Sequence, residues 1–257
     1  LKEFIEVRQV YNMPADFFGE NVDDFILDNK PGLYPDLLSK PELYRSTPRH
    51  WHSLWVTCRI PQDITPGTYT IQLKLANRNH YWPERNQEAL SPEFTLDILP
   101  AHLPEADFKV ANWFYGDCLY RQYKVEAWSE EFYTLLGNYF RNMRSHGLNM
   151  IYVPLFTPPL DTHVGMERPT LQSVQVFEDA SGNWTFDFSR LERYINLALE
   201  CGMDYLEFSH LFTQWGAVFT PKIIVKTADG SEVRRFGWDV RSNSDLYKRF
   251  LAALKKR

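Results

Sequence analysis

Cysteine, long apolar runs and clusters of like charge are all scarce in this sequence of 257 residues. The three cysteines, Cys58, Cys118 and Cys201, are odd in number, widely spaced and lack any CxxC pair. This spacing argues against a disulfide framework and favours three separate core thiols. His50 and His52 form a close histidine pair, but no carboxylate or thiol stands at ligand spacing beside them. We therefore predict no metal site and no cofactor.

Apolar and basic runs are equally limited. No apolar stretch approaches the roughly 20 residues that a helix needs to cross a membrane. The formal charge is −5, and the longest basic run is the terminal Lys255-Lys256-Arg257, which argues against nucleic acid as a partner. No export signal is recognisable after Leu1. We expect any such signal to lie outside these residues, so a secreted or periplasmic location stays open.

Aromatic side chains, in contrast, are abundant. They make up 16% of the residues and include eight tryptophans, in a chain that is 44% hydrophobic. A composition of this kind can build a sizeable core and excludes global disorder. Aromatic rings line both sugar-binding clefts and ordinary cores, so composition alone does not decide between them.

Residues 1–103 have the pattern of an antiparallel β-sandwich of immunoglobulin type. Apolar and polar residues alternate over residues 69–75, and the same period of two recurs over residues 94–98. The runs are short and bounded by turn signals such as Pro66-Gly67, which is typical of a small sandwich. Residues 12–50, rich in Pro, Asp and Asn, are predicted to form an irregular wrap.

Residues 104–257 change to strands that alternate with helices, and Pro100 and Pro104 mark the boundary. The predicted strands are 108–114, 150–156 and 205–212, and the helices that follow them begin near Ser129, Ser189 and Ser244. Strands that are apolar on both faces and alternate with helices indicate a parallel sheet covered by helices. We therefore predict an α/β domain formed by the first three βα units of an incomplete TIM-type (β/α) barrel.

Local signals place the ends of these helices. Ser129 is the predicted N-cap of the first, and Ser189 with Glu192 is predicted to form a capping box at the second. The segments 146–149 and 201–204, each containing a glycine, occupy corresponding places between a helix and the next strand. They form a weak internal repeat.

Polar and aromatic residues follow each predicted strand. In a βα barrel the loops after the strands form the active face. The candidate ligand-binding residues therefore lie at or just after the strand ends: Trp113 and Asp117 for the first strand, Thr157 and Asp161 for the second, and His210, Gln214 and Trp215 for the third. The last two loops each contain a predicted hairpin, turning at residues 181–183 and 229–230, and we expect these excursions to form walls around a cleft.

Each candidate also has a structural interpretation. Tryptophans can plug a barrel instead of stacking on sugars, and loop aspartates often cap turns. Gln214 offers both a donor and an acceptor to hydroxyl groups. His210 alternates with Glu207 along the strand, so we expect the two to face opposite sides. Glu207 is predicted to point into the barrel, where an internal pair with Lys109 is one interpretation.

Several segments resemble one known family. They are Asn112-Trp113-Phe114 with Asp117, Val153-Pro154-Leu155-Phe156-Thr157, residues 186–191, and above all residues 210–217 with Pro221-Lys222. Together they resemble the catalytic domain of glycoside hydrolase family 123, and the upstream residues 66–69 resemble the β-sandwich that precedes that domain. The resemblance covers roughly residues 30–257.

This resemblance implies a retaining, exo-acting hydrolase of 2-acetamido sugars, notably β-N-acetylgalactosaminides. The implied mechanism is substrate-assisted: the acetamido oxygen attacks C1, an Asp orients the amide, and the adjacent Glu protonates the leaving oxygen. The family places that Asp-Glu pair at the end of the fourth barrel strand, and no Asp-Glu dipeptide occurs in these 257 residues. We therefore assign no catalytic residue.

The missing pair leaves three interpretations of function. The chain is the N-terminal portion of a glycan hydrolase, inactive alone and completed by the missing barrel half or by self-association. Alternatively, it is a carbohydrate-binding or degenerate barrel that holds glycans without cleaving them. A purely structural role, with the aromatic residues as core, is the third.

Overall fold

The structure, a computed structural model, describes residues 2–16, 30–40, 44, 49–77, 84, 87–104, 107–214 and 216–256. It divides into two compact units, Leu1–Glu105 and Ala106–Arg257. No helix in the described ranges is both long enough and apolar enough to cross a membrane.

The strands of the first unit all pair in antiparallel fashion. They are β1 (Ile5–Ala15), β2 (Gly32–Ser39), β3 (Ser53–Cys58), β4 (Gly67–Gln72), β5 (Leu75–Asn77), β6 (Gln87–Leu90) and β7 (Glu93–Ile98). They form a three-stranded sheet in the order β2-β1-β3 and the pairs β4-β7 and β5-β6. The predicted alternation is present in β4, where Ile71 is buried and both Thr70 and Gln72 are exposed. The antiparallel character is therefore confirmed, whereas the immunoglobulin-type sandwich stays a prediction.

The irregular wrap predicted for residues 12–50 is wrong where the structure describes it. The end of β1 and all of β2 lie in this segment, while residues 17–29, 41–43 and 45–48 lie outside the described residues. Leu33 and Leu37 in β2 are 67% and 51% exposed, so burial does not alternate along this strand. Pro35 is tolerated because β2 is an edge strand and faces a register shift in β1.

The second unit combines helices with parallel and antiparallel strands. Its elements are α1 (Asp117–Tyr123), α2 (Glu130–Ser145), β8 (Met150–Val153), β9 (Gln175–Glu178), β10 (Trp184–Asp187), α3 (Ser189–Glu200), β11 (Tyr205–Phe208), β12 (Ile223–Thr227), β13 (Glu232–Phe236) and α4 (Asp245–Lys255). β8 and β11 run parallel, and a parallel bridge between Ala111 and Met150 adds the first strand beside β8. The α/β character of this unit is confirmed.

All three predicted parallel strands are shorter than expected. The segment 108–114 forms only the bridge at Ala111, because the side chain of Asn149 binds the neighbouring backbone groups. Asn149 Oδ1 accepts from Val110 N at 2.8 Å, and Asn149 Nδ2 donates to the carbonyl of Phe108 at 3.2 Å. β8 stops before Pro154, which has no N–H to donate to a ladder. β11 ends at residue 208 rather than 212.

All three predicted helix starts are confirmed, but only two of them carry the predicted serine cap. The side chains of Ser129 and Ser244 each accept a hydrogen bond from the backbone N–H three residues on, at 3.2 and 3.3 Å. The capping box of Ser189 and Glu192 is wrong, since Ser189 already lies inside α3. Asp187 instead accepts from the Ser189 N–H at 2.8 Å, so the carboxylate at the end of β10 takes the role.

The two segments of the internal repeat fold alike. Gly147 and Gly202 follow α2 and α3 with φ of 89° in both cases, a left-handed conformation that favours glycine. At each junction the next two strand N–H groups donate to one carbonyl of the preceding strand, Val110 in the first case and Asn149 in the second. Each βα unit therefore adds its strand beside the previous one in the same register.

The two loop hairpins form as predicted but join into one sheet. Their turns contain Gly182 and Gly230, and β9 pairs with β12 in parallel to give the order β10-β9-β12-β13. α4 packs against this sheet, with ring centroids of Phe236 and Phe250 4.7 Å apart and those of Phe236 and Tyr247 5.3 Å apart. The sequence did not predict that the two hairpins would form one sheet or that α4 would pack against it.

The cysteines are all free thiols. Cys201 is buried and Cys58 is half-buried, but Cys118 is exposed on α1, so the prediction of a core position is wrong for Cys118. Within the described ranges, no group of three or more His, Cys, Asp or Glu side chains is arranged to hold a metal ion.

Candidate functional site

One face of the parallel strands carries a row of three side chains. The register that pairs Ala111 with Met150, and Tyr152 with Glu207, places Trp113, Tyr152 and Glu207 side by side. Successive side chains of a strand point to opposite faces, so all three members of the row project from the same one.

The indole of Trp113 spans the row. Its Nε1 donates to Oε2 of Glu207 at 3.1 Å, and its ring centroid lies 6.0 Å from that of Tyr152. Trp113 is 45% exposed, whereas Tyr152 beneath it is 1% exposed. The hydrogen bond fixes the orientation of a flat aromatic surface that remains open to a ligand.

His210 completes the row from the loop after β11. Its ring centroid lies 6.0 Å from Trp113 and 6.4 Å from Tyr152, and its Nδ1 is 3.5 Å from the Tyr152 hydroxyl, the outer limit of a hydrogen bond. The expectation that His210 and Glu207 face opposite sides is wrong, because both contact Trp113. β11 ends at Phe208, so strand alternation does not extend to His210.

The expected internal pair between Lys109 and Glu207 is not the contact that forms. The ammonium of Lys109 lies over the ring of Tyr205, 5.0 Å from its centroid, while Glu207 accepts from the indole. A cation–π contact therefore holds Lys109 beside Tyr205, two positions before Glu207 on β11.

A second tyrosine lies above Tyr152. The rings of Tyr115 and Tyr152 meet edge to face at 5.7 Å, and both pack with Leu160 in a small buried cluster. Burial raises the pKa of Tyr152 to about 12. Burial and the nearby Asp161 carboxylate also raise the pKa of Tyr115. Both hydroxyls therefore keep their protons at neutral pH, and each can donate a hydrogen bond.

Arg168 connects this aromatic cluster to α1. Its Nε and Nη2 donate to Oδ1 of Asp117 at 3.2 and 3.1 Å, and Nη2 also reaches Oδ2 at 3.1 Å. The guanidinium lies over the ring of Tyr115 at 4.0 Å from its centroid. Burial raises the pKa of Asp117, and the charge of Arg168 opposes that shift. A buried, nearly dry ion pair of this kind holds the strand ends together.

The loops after β8 and β11 are tied to each other by side chains. Lys222 donates to the backbone carbonyl of Arg168, and Gln214 Nε2 donates to the carbonyl of Thr162 at 2.7 Å. The amide of Gln172 forms two hydrogen bonds with the backbone of β12, both at 2.9 Å. These ties fix the loop that carries Arg168.

The residues of the row lie within the part of the chain that a family model matches. The family model "Glycoside hydrolase 123, catalytic domain" matches residues 113–257, more than half of the chain. This chain belongs to the glycoside hydrolase 123 family. The recognition made from the sequence is therefore confirmed.

A solved structure shares the fold of this family 123 chain. It is that of a family 123 glycoside hydrolase from Clostridium perfringens, determined in a study of glycolipid glycan hydrolysis. The TM-score is 0.74 at 15% sequence identity, over 99% of this chain and 44% of the other. At that identity the likeness shows the fold alone, and this chain spans less than half the length of the clostridial enzyme. No curated protein sequence matches this chain.

The family 123 chain brings some predicted site residues together and separates others. Trp113 and His210 meet in the row, and Asp161 borders it beside Tyr115. Asp117 is 3% exposed and is bound to Arg168. Trp215 lies outside the described residues.

Two of the predicted residues serve the loops instead. The donor group of Gln214 is used by the carbonyl of Thr162. Thr157 is 2% exposed and lines a small cavity of about 10 Å³ with Thr213 and Lys222. Its hydroxyl has no hydrogen-bond partner within the described ranges. A cavity of that size holds about one water molecule, which can bind the Thr157 hydroxyl.

Sequence reasoning missed Tyr152 and Arg168. Tyr152 had a usable signal, since it carries the only hydroxyl in the strand segment Met150–Val153 and stands opposite Glu207 in register. Arg168 had none, because its partner Asp117 lies 51 positions earlier in the chain.

Proposed function

We propose that the row of Trp113, Tyr152, Glu207 and His210 is a saccharide-binding face of a glycoside hydrolase. The observation that carries this proposal is the half-exposed indole held by a carboxylate at 3.1 Å, with an imidazole beside it. An indole offers a flat apolar surface to the C–H groups of a sugar ring. Carboxylate, imidazole and phenol groups around it can bind hydroxyls in a fixed orientation.

Family membership supports a finer proposal about substrate and mechanism. The substrate is a β-linked 2-acetamido sugar, of the β-N-acetylgalactosaminide class, and the reaction is retaining and substrate-assisted. The acetamido oxygen forms a bond to C1 while the glycosidic bond breaks, and an Asp-Glu pair orients the amide and protonates the leaving oxygen. No Asp-Glu dipeptide occurs in this sequence, so this chain supplies binding groups, and the acid arises from residues outside it.

We also propose that the parallel strands belong to an incomplete TIM-type barrel. The strand at Ala111, β8 and β11 lie side by side in the order in which they occur along the chain. Within the described residues, β11 has no strand partner on its other edge. Successive parallel strands joined by helices are the repeating unit of such barrels. The remaining strands then come from further residues of the full-length product or from a second chain.

Hydrolysis by the full-length gene product tests the enzymatic proposal. Turnover of aryl 2-acetamido-β-glycosides is expected, and Trp113→Ala should lower kcat/KM by about tenfold or more, equivalent to roughly 1.4 kcal/mol. Trp51→Ala is the matched control, because Trp51 is 98% exposed and lies in the first unit. A folded full-length product that turns over no 2-acetamido glycoside would refute the proposal.

The missing Asp-Glu pair favours a second candidate, a carbohydrate-binding protein that does not cleave. Calorimetric titration with N-acetylhexosamines distinguishes the two. Saturable binding that Trp113→Ala removes, in a full-length product without any turnover, would support this second candidate.

A further inference from the structure

The proposed saccharide face carries two carboxylates without cationic partners. Glu207 accepts a hydrogen bond from a neutral indole, so its charge is not compensated by that contact. Asp161 follows Leu160, which packs against Tyr115 and Tyr152, and is therefore held at the border of the same face. Neither carboxylate forms an ion pair within the described part of the chain, where Asp117 is the carboxylate that Arg168 binds.

The cations near this face are engaged elsewhere. Arg168 lies against the Tyr115 ring, but its charge is matched by Asp117 through three hydrogen bonds. Lys109 lies over Tyr205, one row below, and Lys222 donates to a backbone carbonyl on the loop. The Glu207 and Asp161 charges also help to raise the pKa of Tyr152, after the larger effect of its burial. Glu207 and Asp161 are therefore the charges at the row that no ion pair in the described part of the chain compensates.

We propose that this face selects uncharged sugars over sugars that carry a sulfate, phosphate or carboxylate on the bound ring, and that Glu207 is the main selectivity-determining residue. This inference rests on the saccharide-binding role proposed above. A negative group placed on the indole would lie within several ångströms of Glu207 and near Asp161. Repulsion at that range in a partly hydrated site corresponds to about a tenfold loss of affinity.

Glu207→Gln isolates the charge from the shape of the side chain. The amide oxygen of glutamine can still accept from Trp113 Nε1, so the indole keeps its orientation. Glutamine accepts from sugar hydroxyls more weakly than a carboxylate does, so affinity for a neutral sugar should fall. The ratio of the affinity for the neutral sugar to that for its anionic counterpart should nevertheless fall by about three- to tenfold, because only the anionic sugar gains from removal of the charge.

The experiment is calorimetric titration at low salt with two probes, N-acetylgalactosamine and N-acetylgalactosamine 6-sulfate. For the unmodified chain the sulfated probe should bind about tenfold more weakly, and this ratio should narrow in Glu207→Gln. Asp161→Asn offers a second variant, since an exposed residue with φ of 54° accepts asparagine readily, and it should narrow the ratio by a smaller factor. Glu200→Gln, at the exposed end of α3, is the matched control and should leave the ratio unchanged.

The outcomes separate this inference from the proposed function. Equal affinity for the two probes in the unmodified chain, or a ratio that neither variant alters, overturns the charge selectivity while the saccharide-binding role stands. Binding of neither probe by the correctly folded chain removes both. A ratio that narrows in Glu207→Gln and not in Glu200→Gln supports the selectivity.

Discussion

The two faces of the parallel strands are built from the same segments but carry opposite chemistry. On one face Ile151 and Val153 are fully buried in the core that includes the inner sides of α2 and α3. On the other, Trp113 is half-exposed and Glu207 is charged. Since strand side chains alternate, one short strand contributes both to the core and to the proposed saccharide face. Substitutions on the helix-covered face should therefore cost folding free energy, and those on the row should cost binding.

The largest loss of stability should come from the helix-covered core. Phe140 is fully buried, and its ring packs 5.4 Å from that of Tyr194. Phe140→Ala should lower the free energy of unfolding by about 3–5 kcal/mol, because a buried ring leaves a cavity. Urea denaturation measures this, with Phe108→Ala as control, since Phe108 is 63% exposed. A loss below about 1 kcal/mol for Phe140→Ala would contradict the assignment of this face to the core.

Substitution of Arg168 should cause the next largest loss of stability, because Arg168 pairs with a buried carboxylate. Arg168 lies on neither face of the strands and holds the loop above the row. Arg168→Ala leaves the Asp117 carboxylate buried without its partner and should cost about 2–4 kcal/mol at neutral pH. Arg168→Lys should restore only part of this, since an ammonium cannot bind both oxygens in the same fork geometry.

The effect of Arg168→Ala should depend on pH. Burial already raises the pKa of Asp117, and loss of the guanidinium raises it further. A carboxyl whose folded-state pKa is raised loses stability as pH rises through the range between its unfolded and folded values. The deficit of the variant should therefore shrink as pH falls towards about 4. Denaturation curves at pH 4 and 7 check this, and a deficit that is larger at pH 4 would contradict it.

Substitution of Tyr152 should change sugar affinity more than it changes stability. Tyr152→Phe removes a hydroxyl whose one hydrogen-bond contact within the described residues is a 3.5 Å approach to His210, so the free energy of unfolding should change by less than about 1 kcal/mol. Affinity for N-acetylgalactosamine should fall by about three- to fivefold if that hydroxyl binds the sugar.

The pH range tests the same hydroxyl. Because burial raises the pKa of Tyr152 to about 12, the phenol keeps its proton, and affinity in the unmodified chain should be equal at pH 8 and pH 10. A marked loss of affinity at pH 10 that Tyr152→Phe abolishes would show that the phenol ionises earlier than the structure implies.

The smallest effects should separate the two kinds of helix start. Ser129→Ala removes a side-chain cap and should cost about 1 kcal/mol. Ser189→Ala should cost less than about 0.5 kcal/mol, because the carboxylate of Asp187 holds the start of α3. Thermal melts of the two variants provide the comparison. Equal losses of stability would indicate that Ser189 caps α3 after all.

Local signals predicted the second unit well where the chemistry is local. The serine caps at Ser129 and Ser244, the glycine ends of helices and both hairpin turns follow from residues adjacent in sequence. Long-range contacts were beyond such signals. The union of the two hairpins in one sheet depends on pairing between β9 and β12, and Arg168 finds Asp117 across 51 positions.

The site was predicted in part for the same reason. Strand ends pointed to Trp113 and His210, since any polar or aromatic residue there is a candidate. The inclusion of Tyr152 and Glu207 depends on strand register, which one sequence does not reveal. Asp117 and Gln214 also lie near strand ends in the sequence. In the structure, Asp117 is engaged by the ion pair with Arg168, and Gln214 by a hydrogen bond to the loop.

Titration of the chain with N-acetylgalactosamine, followed by NMR at the indole N–H of Trp113, tests the central claim most directly. That N–H is held by Glu207 on the face where we place the sugar, so its resonance should shift saturably and by more than the other tryptophan resonances. Saturable shifts confined to other tryptophans, with the Trp113 resonance unmoved, would contradict the account.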